Sequence, residues 1–337
     1  MHASERMAAK LSAIATMAVV LAAAIGITAA AQTAGDYPNH PVVLIVPYGA
    51  GGVADVGMRI LGEKLSNRLK QQFVIENRPG AGGIVAAQAA ASAAPDGYTL
   101  LMVGNNNAIA ASLFNKLPYN VLTDFASVST ASFFDLLILT RAGSPQRSLD
   151  DFIAVAKAHP GELNIGTITP GSTQNLAAQL FVSTVGIKAT IVTFRTSADM
   201  ANALMRGDID LEFEFYAAVQ GLLTGDKSST LVALASTGTK RTAYLPNVPT
   251  AIESGINGYE VTSWNGLSVS AKTPPAIIAT LNTAMKDVIP DPDIQNRAKE
   301  MGMEMHWSTP ADMTARMQAD IAKWGGVIAA AGIPKND

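Results

Sequence analysis

The chain has 337 residues, with 24 Lys and Arg against 27 Asp and Glu, 48% hydrophobic residues and no cysteine. Its mild acidity leaves no electrostatic footprint for nucleic acid. The missing cysteines exclude disulfides, thiolate metal sites and acylated-cysteine anchors, so stability must come from a sizeable core.

Residues 1–31 concern address. Arg6 and Lys10 precede an apolar stretch from Leu11 to Ile27, and Ala29-Ala30-Ala31 supplies the small residues of a cleavage site. The pattern predicts a secretory signal peptide cut near Ala31 and Gln32. An uncleaved anchor is the alternative, since the apolar run is about as long as the shortest spanning helices. Cleavage would leave about 300 residues, more than one core usually serves, and so two lobes. Without Glu5, Arg6 and Lys10 the charged counts become 22 basic and 26 acidic, a net charge of −4.

Strand-like and helix-like runs then alternate. Pro41 to Val46 is a β-branched run; Val53 to Lys70 carries an approximate helical stripe; Phe73 to Glu76 is a short strand; Ala81 to Ala94 is an Ala-rich helix. Tyr98 to Val103 is a third strand, closed by Gly104-Asn105-Asn106-Asn107. The middle of the chain continues with strands at Leu136 to Thr140, Leu163 to Thr167 and Thr190 to Phe194, and helices at Leu149 to His159, Gln174 to Val185 and Ala198 to Arg206. Ile209 to Phe215 alternates apolar residues with Asp210, Glu212 and Glu214, which predicts a strand with one wet face. Strand character returns over Tyr259 to Ser270, and helices over Pro275 to Ile289 and Pro310 to Ala330 finish the chain. The βαβα order implies a parallel, doubly wound sheet.

Gly49-Ala50-Gly51-Gly52-Val53-Ala54 fits G-x-G-x-x-[GA] between a strand and a helix, with Glu76 about 20 residues on. Such a loop bares backbone N–H groups at the positive end of a helix. Three readings fit: a site for any small anion, a tight turn without function, or a dinucleotide cradle. Export and the intervening Pro47 weigh against the dinucleotide. A second loop of the same kind, Thr169-Pro170-Gly171-Ser172-Thr173, suggests two helix N-termini clamping one small anion.

Asp55 is either a first-turn carboxylate favoured by the helix dipole or an acceptor, for a ligand donor or for loop amides that shape a cleft. Asp210, Glu212 and Glu214 read as a solvated strand face or as cleft residues. Tyr48 and Trp264 read as core or as aromatic walls of the cleft. His40, His159 and His306 are isolated, without metal-ligand spacing, and Ser172 has no evident histidine partner. No catalytic pair or cofactor is indicated.

The succession LIVPYGAGGVAD (Leu44 to Asp55), IENRPGAGG (Ile75 to Gly83), PDGYTLL (Pro95 to Leu101), LPYNVLTDF (Leu117 to Phe125), LPNVPTAIESG (Leu245 to Gly255) and Trp264-x-Gly266-Leu267 resembles the Bug/TctC family, the extracytoplasmic binding proteins of tripartite tricarboxylate transporters. The resemblance covers the chain beyond residue 31 and implies an α/β, two-lobed periplasmic-binding-protein (Venus flytrap) fold. Each lobe would be a mainly parallel sheet flanked by helices, lobe 1 being 32–140 plus 262–337 and lobe 2 being 141–261, with crossings near Thr140 and Val261 as hinges.

It also implies a periplasmic, monomeric receptor without cofactor that takes a small organic acid to the membrane components of such a transporter. The ligand contacts would come from Tyr48, Gly51, Gly52, Ala54 and Asp55, from Asn105 and Asn106, from Gly171, Ser172, Thr173 and Gln174, and from Asp210 and Trp264. A receptor for a sensor protein is an alternative, as is an exported enzyme with Asp55 or Asp210 as base. Asn175, Gln179 and Thr193 to Thr196 depart from the family pattern and leave the ligand open among dicarboxylates, tricarboxylates, amino acids, and aromatic or nicotinate-like acids. Glu212 and Glu214 would suit an amine or a neutral ring better than a dianion.

Overall fold

A computed structural model describes residues 37–223 and 230–336. The expected signal peptide lies outside the described residues. Ten strands among them join into one hydrogen-bonded system in the order β2-β1-β3-β9-β4-β7-β5-β6, with β8 and β10 also pairing β4. These are β1 (Val42–Val46), β2 (Phe73–Asn77), β3 (Thr99–Gly104), β4 (Phe125–Arg141), β5 (Asn164–Ile168), β6 (Thr190–Phe194), β7 (Leu211–Phe215), β8 (Leu231–Ser236), β9 (Thr262–Ser270) and β10 (Glu304–Met305).

β4 divides the sheet into two halves. Residues Phe125 to Asp135 pair with β9, whereas Leu136 to Leu139 pair with β7 and Leu137 to Arg141 with β8. The expected strand at Leu136 to Thr140 is thus the last third of a 17-residue strand. Its first part was hidden because Ser129, Thr130 and Ser132 stand where apolar residues would mark burial, yet all three are buried. Parallel pairing holds among β1, β2 and β3 and among β5, β6 and β7; β4 and β9 run antiparallel to their neighbours.

The helices are α1 (Val53–Leu69), α2 (Ile84–Ala91), α3 (Asn105–Leu113), α4 (Leu149–Ala158), α5 (Thr173–Val185), α6 (Ser197–Arg206), α7 (Tyr216–Leu223), α8 (Pro275–Val288), α9 (Pro292–Glu300) and α10 (Pro310–Ala330). α2 starts three residues later than its alanines suggest, because Gly82 and Gly83 have φ of 65° and 98°, outside the right-handed helical region. Asn105 to Asn107, read as a loop, form the first turn of α3. α7, α9, β8 and β10 went unanticipated.

Upper β4 is buried on both faces: Leu136 and Ile138 enter a core shared with α3, α5 and α10, while Leu137 and Leu139 enter one with α6 and α7. The wet face predicted for β7 is not wet. Glu212 and Glu214 lie opposite Leu139 and Leu137 and are 0% and 1% exposed, because α6 and α7 cover that face. No helix among the described residues is long and apolar enough to cross a membrane.

Candidate functional site

The parallel strands β1, β2 and β3 each lead into a helix whose N-cap is glycine: Gly52 for α1, Gly83 for α2 and Gly104 for α3. None of the three has a side chain bonded to the first-turn amides. Elsewhere Ser148, Ser172, Thr196, Asp291 and Thr309 cap α4, α5, α6, α9 and α10 with their side chains. Three helix starts without a side-chain cap thus lie at the carboxyl ends of β1 to β3, as one also does at Pro274 of α8, and the partial positive charge of such ends favours an anion.

Asp55 gives the first loop its shape. Its Oδ2 accepts the Gly51 N–H at 2.8 Å and Arg59 Nε at 3.0 Å, and its Oδ1 accepts Asn77 Nδ2 at 2.8 Å. Asn77 Nδ2 also reaches the Tyr48 carbonyl at 2.9 Å. Burial pushes the carboxyl upward, but the Arg59 guanidinium and the Gly51 and Asn77 amides outweigh it and hold the group below its ordinary value. Of the readings open for Asp55, this geometry matches the acceptor of loop amides. It occupies the Gly51 N–H, so the amides of the first α1 turn, Val53 to Asp55, are the ones left for a ligand.

Close approach requires the glycines behind the loop. A Cβ on Gly83 would stand 2.5 Å from Asn106 Nδ2, and one on Gly104 would collide with the Trp264 carbonyl oxygen. Beside Gly104, Asn105 is 3% exposed, and neither its Nδ2 nor its Oδ1 has a hydrogen-bond partner among the described residues. A buried amide with both functions unpaired is costly unless something else completes it. Asn107 Oδ1, by contrast, accepts the Gly104 N–H at 3.0 Å.

In the second half, Ser172 Oγ accepts the Asn175 N–H at 3.1 Å, so α5 is already capped. Gly171, at φ 80°, brings its loop against α3, where a Cβ would lie 2.6 Å from Leu113. Gln174 Nε2 donates to Glu214 Oε1 at 3.0 Å, and the Phe215 N–H donates to the same oxygen at 2.7 Å. Glu212 has no hydrogen-bond partner on either oxygen among the described residues, and burial, with the neighbouring Glu214 charge, pushes its carboxyl up to about 8. Glu214 is raised too, by burial that outweighs its hydrogen bonds.

The predicted residues do not all meet. Gly51 and Gly52 line a cavity of about 380 Å³ with Val53, Glu300, Met301 and, from α7, Ala217, Ala218 and Gln220. The second loop is not part of that wall. α7 was missed because eight residues of small and apolar type directly after a strand give little helical signal. Asp210 sits at the amino end of β5, the end away from the second loop, where its Oδ2 accepts the Asn164 N–H at 2.8 Å. Trp264 is 0% exposed in the core, its indole N–H bonded to Asp320. Tyr48 is 38% exposed.

Residues 58–333 match the Tripartite tricarboxylate transporter family receptor, TctC. BugT of Bordetella pertussis is 32% identical over 306 residues, covering 90% of this chain and 93% of BugT. A protein of R. palustris solved with adipate superposes with a TM-score of 0.77 at 32% identity, covering 89% of this chain and all of the other. MatC from Rhodopseudomonas palustris, solved with bound malate, gives 0.72 at 29% identity over 87% of this chain and 100% of MatC. The family match begins at Met58, so the role of the loop before it rests on the geometry above. Glycine-capped helices at the ends of parallel strands, two half-sheets sharing one strand, and a match across most of the sequence lead to one conclusion: the chain belongs to the Bug/TctC family of periplasmic binding proteins, the receptors of tripartite tricarboxylate transporters.

Proposed function

We propose that the chain captures a small organic carboxylate in the periplasm, after removal of residues 1–31, and delivers it to the membrane components of a tripartite tricarboxylate-type transporter, without covalent chemistry. The single observation that carries the reading is Asn105. It is a sealed amide with an unpaired donor and an unpaired acceptor, next to the uncapped first turn of α3. Its Nδ2 would donate to a ligand carboxylate that also meets the open helix N-termini, and its Oδ1 would accept from a hydroxyl or a protonated carboxyl of the same ligand. The adipate and malate of the two related structures supply ligands of that class.

In this reading lobe 1 is 32–140 plus 262–337, lobe 2 is 141–261, and closure turns about the crossings. The switch of β4 between Asp135 and Leu136 and the Val261 N–H bonded to the Thr237 carbonyl at 2.8 Å support crossings in this region. The first loop, Asn105 and Asn106, and the second loop with Gln174 would then meet the ligand as the lobes approach.

A thermal-shift screen with malate, adipate, citrate, L-glutamate and nicotinate tests the proposal, because a ligand at 100 times its dissociation constant adds about 2.7 kcal/mol. Gly52→Asp is the matched control. Gly52 has φ −74° and ψ 163°, which any residue adopts, and a Cβ there meets only the Gly49 carbonyl, at 3.9 Å. The new carboxylate would cap α1 and displace the ligand's. Binding is expected to fall by a factor of ten or more while the unfolding midpoint holds or rises, roughly a cap's few tenths of a kcal/mol. No shift from any of the five acids, or unchanged affinity in Gly52→Asp, would overturn the reading.

A further inference from the structure

A second cavity lies away from both loops. It encloses about 830 Å³ where β4 passes from one half-sheet to the other, between Phe133, Phe134 and Asp135 of β4, the segment after β8, and α10. That volume is ordinary for a small-molecule site.

Most charges in its wall are already matched. Lys323 pairs with Glu260 at 2.8 Å, His306 with Glu304 at 3.0 Å, and Arg241 with Glu253, outside the cavity, at 2.9 Å. Asp320 accepts the Trp264 indole N–H. Besides the exposed Lys240, three charged side chains have no ion pair among the described residues, Asp320, Asp135 and Arg316, and of these Asp135 and Arg316 are not paired with each other. The Arg316 guanidinium lies over two rings, 4.8 Å from the Phe133 ring centre and 5.7 Å from that of Trp264, with Nε buried and without a hydrogen-bond partner among the described residues. Asp135 has one bond, from Thr262 Oγ1 at 2.8 Å.

We propose that this hinge cavity is a second binding site, for a small zwitterion, with Arg316 receiving its carboxylate and Asp135 its ammonium. A guanidinium held over aromatic rings suits a planar carboxylate, and a carboxylate without a cationic partner suits a compact ammonium. A dianion would set one charge against Asp135; a simple cation would leave Arg316 unmatched. The site does not depend on the loop clamp. Its place is significant: Asp135 is the last β4 residue paired with β9, and Leu136 the first paired with β7. A ligand bridging Asp135 to α10 would hold the crossing strand in one setting, and so bias lobe closure.

The pH dependence has a definite sign. Burial pushes Asp135 up to about 6; Thr262 opposes that with its hydrogen bond, Glu304 and Glu260 add to it, and Arg316 opposes it. Tyr244, also in the wall, stays neutral, raised chiefly by burial. Zwitterion affinity is therefore full above pH 7 and falls as pH drops through 6.

The test is calorimetry on the intact protein at pH 7.5 with L-glutamate, γ-aminobutyrate and L-phenylalanine, each beside its amine-free counterpart glutarate, butyrate or 3-phenylpropionate. At least one amino acid is expected to bind wild type and Gly52→Asp alike, more tightly than its counterpart. Arg316→Gln and the isosteric Asp135→Asn should each weaken it about tenfold or more, as expected for a lost charged hydrogen bond. Binding by none of the three, binding that survives Arg316→Gln, or binding lost in Gly52→Asp would overturn the hinge site. The last outcome would place the amino acid at the loop clamp instead, so the two readings fail separately.

Discussion

The Asp55 carboxylate accepts the amide hydrogen of Gly51, four residues upstream, at 2.8 Å, and so closes the glycine loop onto the first turn of its own helix. Asp55→Ala would leave that amide and Arg59 Nε without this acceptor and Asn77 Nδ2 with the Tyr48 carbonyl alone. The expected cost is about 1–3 kcal/mol, measured by urea unfolding, together with weaker carboxylate binding. Because the folded-state carboxyl lies below its ordinary value, its contribution is present above that value and is lost as pH falls through the folded one. Asp55→Asn should therefore flatten the stability curve below about pH 4.

Asn105 separates function from stability. Since neither end of its amide is paired, Asn105→Ala removes no hydrogen bond from the fold. The unfolding free energy should change by no more than about 1 kcal/mol, loss of packing being offset by loss of an unsatisfied group. Carboxylate affinity should fall about tenfold in the same protein, read by calorimetry. A large loss of stability with intact binding would remove Asn105 from the site.

Glu212 should make the protein less stable as pH rises. Its carboxyl, near 8 in the folded chain and 4.5 when exposed, retains a proton on folding through that window. Stability is full below pH 4.5 and declines up to about 8. Glu212→Gln should reduce this slope to the part set by the raised Glu214 and be the more stable form at pH 9, by an amount on the order of a few kcal/mol. Thermal unfolding from pH 5 to 9 measures it, and equal slopes in both proteins would contradict the assignment.

Gly104→Ala tests the corner between β3 and α3. The added methyl meets the Trp264 carbonyl, which belongs to the paired strand β9 and cannot swing aside. A loss of about 1–3 kcal/mol is expected, with altered placement of Asn105 showing as reduced ligand affinity.

Much of this architecture could be read from residues alone, where burial was written in apolar letters. PVVLIV, the glycine loops and the Ala-rich helix announced β1 and the first-lobe helices. Lower β4 could not be read, since Ser127, Ser129 and Ser132 are polar residues in a strand walled by β9. Glu212 misled for the opposite reason: alternation of charge with Leu211 and Phe213 is the ordinary sign of a water-facing edge, and only the covering helices α6 and α7 reverse it. At the site, the uncapped start of α1 could be read from the glycines of the first loop. The unpaired state of Asn105 and the wall provided by α7 depend on long-range packing, which no local pattern encodes.

The insertion of β9 between β3 and β4 also orders events in time. β3 and β4 are adjacent in sequence, yet they touch in the sheet only through a strand that leaves the ribosome more than a hundred residues later. The second half-sheet, by contrast, has β4 through β8 in hand by Ser236. As the chain folds, its middle can settle first, while β1 to β3 wait with an open edge for Thr262 to Ser270 to close the gap. The same long-range closure ties both halves to a single late step, so chains truncated before Thr262 should be digested by protease over residues 37–104, and chains that include β9 should be protected there.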